Sequence, residues 1–193
     1  MNILIYTHEF PPFQGGIATS SKMIADILSS ENNLTVCCPS YGVKNPDEFQ
    51  EFNTERINFI GGKFFKKIPV LQYIFGFIRI KSIIKNFKPQ KILYLGEEAE
   101  IVGGLLNEKN IDQIVRVAGS GIESIIKKRT LLSQIAKFFL KRLYKNSKFI
   151  VAVSENTKKL MNQEKDFFSP EKIRLIYNGI DDDFINQEKN LDL

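Results

Sequence analysis

One histidine and two cysteines are all that the 193 residues offer to a soft metal ion. His8 stands alone, and the carboxylates show no ligand spacing around it, so no metal centre is expected. Cys37 and Cys38 are adjacent and would point to opposite faces of a strand. Small buried thiols in a reducing compartment are expected there, not a disulfide framework. Long apolar runs are also missing. The longest, Ile68 to Ile84, is broken by Pro69, Gln72, Gly76, Arg79 and Lys81, which makes a poor membrane span. Asn2 to Tyr6 is too short for the apolar part of a secretory leader and has no basic start or small-residue cleavage site, so a cytoplasmic location is expected. No repeat recurs at a fixed period. The chain lacks G-x-x-x-x-G-K-[ST], and lacks G-x-G-x-x-G at its first strand-to-helix turn. Nucleoside triphosphatases and dinucleotide oxidoreductases are disfavoured on that ground. A nucleic-acid module is disfavoured too: no helix-turn-helix, RNP-type aromatic pair or zinc site accompanies the formal net charge of +5.

What is present is the composition of one ordinary folded domain, 43% hydrophobic and 25% charged. Apolar, partly β-branched runs predict strands at Asn2–Tyr6, Leu34–Cys38, Ile57–Ile60, Lys91–Leu95, Ile114–Val117, Phe149–Val153 and Ile173–Tyr177. Apolar residues at helical spacing predict helices at Ile17–Ser29, Val70–Asn86, Glu98–Asn107, Leu131–Lys145 and Glu155–Asn162. Several strands are apolar throughout, as when both faces of a parallel sheet are covered. The alternation predicts a Rossmann-like, doubly wound, mostly parallel α/β sheet with right-handed crossovers. Ligands on such sheets gather at the carboxyl ends of the strands, which directs attention to the loops there.

The first of those loops carries the clearest signal. After strand one come Pro11 and Pro12, which stiffen the chain, and then Gly15 and Gly16 at a helix start. Glycine permits positive φ and close approach of the backbone to a ligand. The free N–H groups of the helix's first turn, with its dipole, then offer a seat for phosphate or pyrophosphate.

Glu9-Phe-Pro-Pro-x-x-Gly-Gly-Ile17, the run Phe149-Ile-Val-Ala-Val-Ser-Glu-Asn-Thr157, and Ile173-Arg-Leu-Ile-Tyr-Asn-Gly-Ile-Asp181 resemble, in order and spacing, the N-terminal half of family 4 glycosyltransferases. The resemblance implies a GT-B architecture, in which two Rossmann-like domains face a cleft and a sugar moves from a nucleotide-sugar with retention at the anomeric carbon. It implies an acceptor-side domain over residues 1–180 and the start of an interdomain linker over 181–193, with the C-terminal donor-binding domain absent. Such a chain is expected to be inactive alone. The implied acceptors are glycans or lipid-linked glycans, in cell-surface polysaccharide or glycolipid synthesis. The nucleotide-sugar is a substrate, and no cofactor or metal is implied. Gly15 and Gly16 match the loop that approaches the donor's phosphates. Where the family often has a histidine after the fifth strand, this chain has Ala118, and no catalytic residue is assigned.

His8, Glu9, Glu97, Ser120, Gly121 and Glu123 fall at strand ends and are candidates for holding the acceptor; a carboxylate there can orient a hydroxyl. Asn178-Gly179 reads as a turn with positive φ before the interdomain crossing. Two segments, 63–88 and 127–148, are rich in Lys and Arg without a carboxylate. In the second, Leu131, Ile135, Phe138, Phe139 and Leu143 are expected to pack on the sheet, while Lys137, Lys141 and Lys145 form a solvent-facing stripe. Peripheral contact with an anionic membrane at its inner face is the expectation that follows, and nucleic acid is not an expected partner. A non-catalytic sugar- or nucleotide-binding domain is the alternative reading.

Overall fold

The computed structural model describes residues 1–40, 53–57, 69–118 and 126–179. Along them alternate β1 (Asn2–Thr7), α1 (Gly16–Ser29), β2 (Asn33–Pro39), β3 (Asn53–Ile57), α2 (Pro69–Phe87), β4 (Lys91–Leu95), α3 (Glu97–Leu106), β5 (Asp112–Val117), α4 (Leu131–Asn146), β6 (Phe149–Ala152), α5 (Glu155–Gln163) and β7 (Ile173–Leu175). The strands form one sheet in the order β3-β2-β1-β4-β5-β6-β7. Every neighbouring pair is parallel, so the Rossmann-like sheet expected from sequence is wholly parallel.

Period-two alternation within apolar strands supplies both faces of the sheet. Leu4, Tyr6, Ile92, Tyr94, Val115, Val117, Ile150 and Ala152 point to one side, where Ile80 of α2, Val102 of α3 and Leu140 and Leu143 of α4 cover them. Ile3, Ile5, Leu34, Val36 and Leu95 point to the other, against Ala25 of α1 and Phe10 of the segment that joins β1 to α1. Each large side chain so buried contributes about 1.5–3 kcal/mol, which is why the central strands tolerate few polar residues. Cys37 and Cys38 form no disulfide and are buried, divided between the two faces.

Two strand boundaries differ from the sequence expectation. The third strand pairs with β2 over Asn53–Ile57, not Ile57–Ile60; residues 58–60 lie outside the described residues. It is an edge strand, and an edge needs ladder hydrogen bonds more than apolar side chains, so hydrophobicity misplaces it. β7 ends at Leu175, and Ile176 and Tyr177 beyond it are exposed.

The largest correction concerns α4. It turns Ser133, Leu140, Leu143 and Tyr144 inward and leaves Leu131, Leu132, Ile135 and Phe138 exposed, at 78%, 62%, 47% and 61%. The cause lies in α3. At Gly104 a Cβ would collide with the Phe139 backbone, and at Gly103 it would meet the Tyr94 ring at 2.8 Å and Leu143 Cδ1 at 3.1 Å. Two glycines thus let the helix backbones touch, which selects the Leu140–Leu143–Tyr144 side of α4 as the inner face.

Candidate functional site

Winding reverses between β1 and β4: β2 and β3 lie on one side, β5 to β7 on the other. Loops leaving adjacent strands on opposite faces open a crevice at the carboxyl ends of such a switch point. Thr7 and Leu95 are the last residues of β1 and β4 and are paired in register. The Thr7 hydroxyl donates to the Glu9 carbonyl at 2.9 Å and accepts from the Glu9 N–H at 3.1 Å, which turns the chain out of the strand. The buried Tyr6 hydroxyl lies 2.6 Å from His8 Nε2. Gly76 permits this, because a Cβ there would occupy the position of the Tyr6 hydroxyl. Burial pushes the His8 pKa down to about 4, so the imidazole is neutral at pH 7 and can exchange hydrogen bonds but brings no charge.

The glycine turn stands at this edge. Gly15 caps α1 with φ 172° and ψ 158°, an extended conformation that any residue adopts. The expected positive φ is therefore not used at this turn. Absence of a side chain matters instead: a Cβ on Gly15 would lie 3.1 Å from Glu9 Oε2 and 3.3 Å from Phe13 Cε1, whereas a Cβ on Gly16 would meet nothing within 4 Å. Among the described glycines only Gly96 has positive φ, at +93°, where β4 passes into α3; the Ile17 side chain of α1 lies 3.7 Å from its would-be Cβ. The two helices that start at the crevice, α1 and α3, have glycine caps without a side-chain hydrogen bond. By contrast, α4 and α5 are capped by Thr130 and Ser154. In its first turn α3 carries Glu97, Glu98 and Glu100, whereas α1 carries no acidic residue there. The start of α1 is thus open on its Gly16 side, while the Glu9 side chain stands beside Gly15.

Carboxylates crowd the other side of the crevice. Burial, then the Glu98 charge, raises the pKa of Glu97 to about 7, opposed by Lys128. Burial and Glu98 also raise that of Glu9. Deeper in α3, Glu100 is buried and accepts the Tyr144 hydroxyl at 2.5 Å; burial raises its pKa to about 8 despite that bond, with Glu97 and Glu98 adding. Close to neutral pH, Glu97 can therefore either donate or accept a hydrogen bond.

His8, Glu9, Gly15, Gly16 and Glu97 are accordingly brought together at the edge of β1 and β4, while Ser120, Gly121 and Glu123 lie outside the described residues. Neither Asn178 nor Gly179 has positive φ. Asn178 instead accepts from Arg116 Nη2 of β5 at 2.5 Å, so a side-chain bond to the sheet takes the place of the expected turn. Sequence reasoning passed over Gly96, Tyr6 and Arg116. Only Arg116 carried a visible signal, a charge within the apolar run Ile114–Val117. Among the described residues, no group of three or more His, Cys, Asp or Glu could hold a metal ion.

The wholly parallel sheet with its switch point between β1 and β4 defines a Rossmann-like domain. A family-wide sequence profile, Glycosyltransferase Family 4, matches residues 14–184, and the chain belongs to that family. Solved structures share the fold. Sucrose-phosphate synthase from Thermosynechococcus elongatus is 13% identical with a TM-score of 0.72, covering 100% of this chain and 53% of that one. The lipopolysaccharide outer core galactosyltransferase WaaB is 13% identical with a TM-score of 0.60, covering 93% and 46%. Anabaena HepE, solved with UDP and glucose, is 17% identical with a TM-score of 0.62, covering 99% and 50%. The chain spans about half the length of these proteins. No curated protein matches it at the level of sequence.

Proposed function

We infer that this chain forms the acceptor-side domain of a retaining glycosyltransferase, which moves a sugar from a nucleotide-sugar to a glycan or lipid-linked acceptor in cell-surface polysaccharide or glycolipid synthesis. The observation that carries this reading is the start of α1: uncapped, free of acidic residues and open at Gly16, at the switch point of the sheet. Transfer breaks the bond between the anomeric carbon and a diphosphate oxygen, and negative charge grows on the leaving diphosphate. Main-chain amides at a helix start are fixed dipoles aimed at such charge and need no reorganisation when it develops. Glu9 beside Gly15 would repel an anion approaching that side, so the diphosphate sits toward Gly16. Glu97 and neutral His8 hold acceptor hydroxyls, with Glu97 orienting the one that attacks. HepE has been solved with UDP and with UDP-glucose, which supports a uridine nucleotide-sugar as the first donor to try.

The acceptor reading extends to a membrane surface. The exposed Leu131, Leu132, Ile135 and Phe138 lie among Lys127, Lys128, Arg129, Lys137, Lys141 and Lys145, with no carboxylate from Ser124 to Ser154. Apolar insertion flanked by cations fits an anionic lipid surface, each nearby cation contributing about 1 kcal/mol. Lys128 acts electrostatically on Glu97, so α4 begins beside the crevice, where a lipid-linked acceptor would arrive. No helix among the described residues is long and apolar enough to cross a membrane.

Titration of the 15N-labelled chain with UDP-glucose tests the donor reading. Weak, saturable shifts at Gly16, Ile17 and Ala18 are expected, lost in Gly16→Val, and transfer is expected only when a second Rossmann-like domain is supplied. Shifts confined to other loops, or unchanged in Gly16→Val, would reject it.

A further inference from the structure

Arg116 is the one charged residue in the core of β5. Register places Thr7, Leu95, Arg116, Val151 and Arg174 in one row across β1, β4, β5, β6 and β7. Partners in one row of a parallel sheet point to the same face, here the one that Leu95 shares with α1. The row is the last on β1 and β4, where Thr7 and Leu95 end their strands, and the last but one on β5, β6 and β7, where Val117, Ala152 and Leu175 follow. Arg174, at the far end of the row, is exposed and donates to the carbonyls of Glu171 and Ile173 at 2.8 and 2.9 Å. Arg116 is only 7% exposed. Its Nη2 donates to Asn178, its Nη1 is buried without an acceptor, and no carboxylate pairs with it among the described residues.

A guanidinium cannot shed its proton, and a buried cation with neither counter-charge nor full hydrogen bonding is strongly unfavourable. Its position shows which way it is turned. Asn178 lies beyond the end of β7, and Gly179 stands next to Met23 of α1, 3.8 Å from where its Cβ would be. The guanidinium is thus drawn toward the carboxyl edge, below the segment that crosses from β7 to α1. Ala118, just past the end of β5, offers no more than a methyl group to block it. Two strand spacings, about 10 Å, separate Arg116 from Thr7 at the switch point.

We propose that Arg116 is the buried donor of an oxyanion subsite at the carboxyl edge of β5, oriented by Asn178, with Nη1 reserved for a phosphate-type group of the substrate. The subsite deepens the transferase reading and rests on it. The phosphate is either the diphosphate of the donor or the phosphate of a lipid-linked acceptor, and the two sources can be told apart.

The test titrates the chain with UDP and, separately, with a short alkyl phosphate, at constant ionic strength in chloride, following 15N shifts and the thermal midpoint. At least one of the two is expected to bind saturably, and Arg116→Met to weaken it about ten- to a hundredfold, the worth of a charge-assisted hydrogen bond. Arg116→Lys should fall between. A response to UDP marks the donor source, a response to the alkyl phosphate the acceptor source, and either supports the subsite. Without ligand, Arg116→Met should melt no lower than the wild type, because an uncompensated buried charge has been removed. Gly16→Val separates the two ideas: if it keeps the Arg116-dependent binding, the subsite stands while the glycine-turn reading falls. Saturable binding to neither probe, or equal binding by Arg116→Met, would overturn the proposal. So would an Arg116→Met protein that melts far lower yet binds as the wild type does, since the guanidinium would then be a structural clamp.

Discussion

Gly104→Ala and Gly16→Ala make the same chemical change on two helices and should move stability in opposite directions. At Gly104 the new methyl would fall on the Phe139 carbonyl group, 2.5 Å from its carbon and 2.9 Å from the Cα. Ordinary contact begins near 3.4 Å, so α3 and α4 must part by roughly 1 Å, and a backbone cannot swing aside as a side-chain tip can. Overpacking of this kind costs about 1–3 kcal/mol. Parting the helices also stretches the Tyr144–Glu100 hydrogen bond, now 2.5 Å and buried, at a further cost of about 1–3 kcal/mol if it is lost. The better helix propensity of alanine returns about 1 kcal/mol. The net loss is about 1–5 kcal/mol, a fall in thermal midpoint of roughly 10 °C at mid-range for a chain of this size. At Gly16 a Cβ meets nothing within 4 Å and φ is not positive, so the same change should leave stability unaltered or raise it by up to about 1 kcal/mol. Urea or thermal denaturation followed by circular dichroism at 222 nm measures both. A Gly104→Ala protein as stable as the wild type would refute the helix contact, and an equally destabilised Gly16→Ala would refute the open turn.

Two further outcomes follow from the same geometry. The folded-state pKa of Glu100 is raised to about 8 and that of Glu97 to about 7, against an ordinary 4.5, so the native state holds more protons than the unfolded chain and stability falls as pH rises through that window. His8, lowered from 6.5 to about 4, works in the opposite direction below pH 6.5, which leaves pH 6.5 to 8 as the clean interval. Each fully linked proton contributes a slope of about 1.4 kcal/mol per pH unit; Glu100→Gln should flatten the decline measured by urea titration, and an unchanged slope would contradict the burial of that carboxyl. On vesicles, the chain should co-sediment with phosphatidylglycerol-containing membranes and not with pure phosphatidylcholine. Replacing Leu131 and Phe138 by Asp should abolish that binding without lowering stability, since both side chains are exposed, and retention of binding would dismiss α4 as the contact.

The alternation of apolar runs and helical spacing in the sequence was enough to determine the fold class, because a parallel sheet buried on both faces has no other pattern to write. Strand β4 matched its expected bounds, and β1, β2, β5 and β6 lay within two residues of theirs. The glycine turn, too, was legible: Gly15-Gly16 before an apolar helix is a local signal, and its place at the sheet edge follows from chain order. The use made of it was not. Positive φ is a freedom that glycine has, and only the path of the neighbouring chain decided that it is exercised at Gly96 and not at Gly15.

Tertiary structure alone determined three things. It chose the inner face of α4, because helix periodicity defines faces but the backbone contact at Gly104 decides which one meets α3. It set the protonation of Glu97 and Glu100, because desolvation depends on what surrounds a carboxyl and not on its position in the chain. And it left the Arg116 guanidinium buried beside Asn178, residues 62 positions apart that no local pattern joins and that only the packing order of β5, β6 and β7 brings within a hydrogen bond.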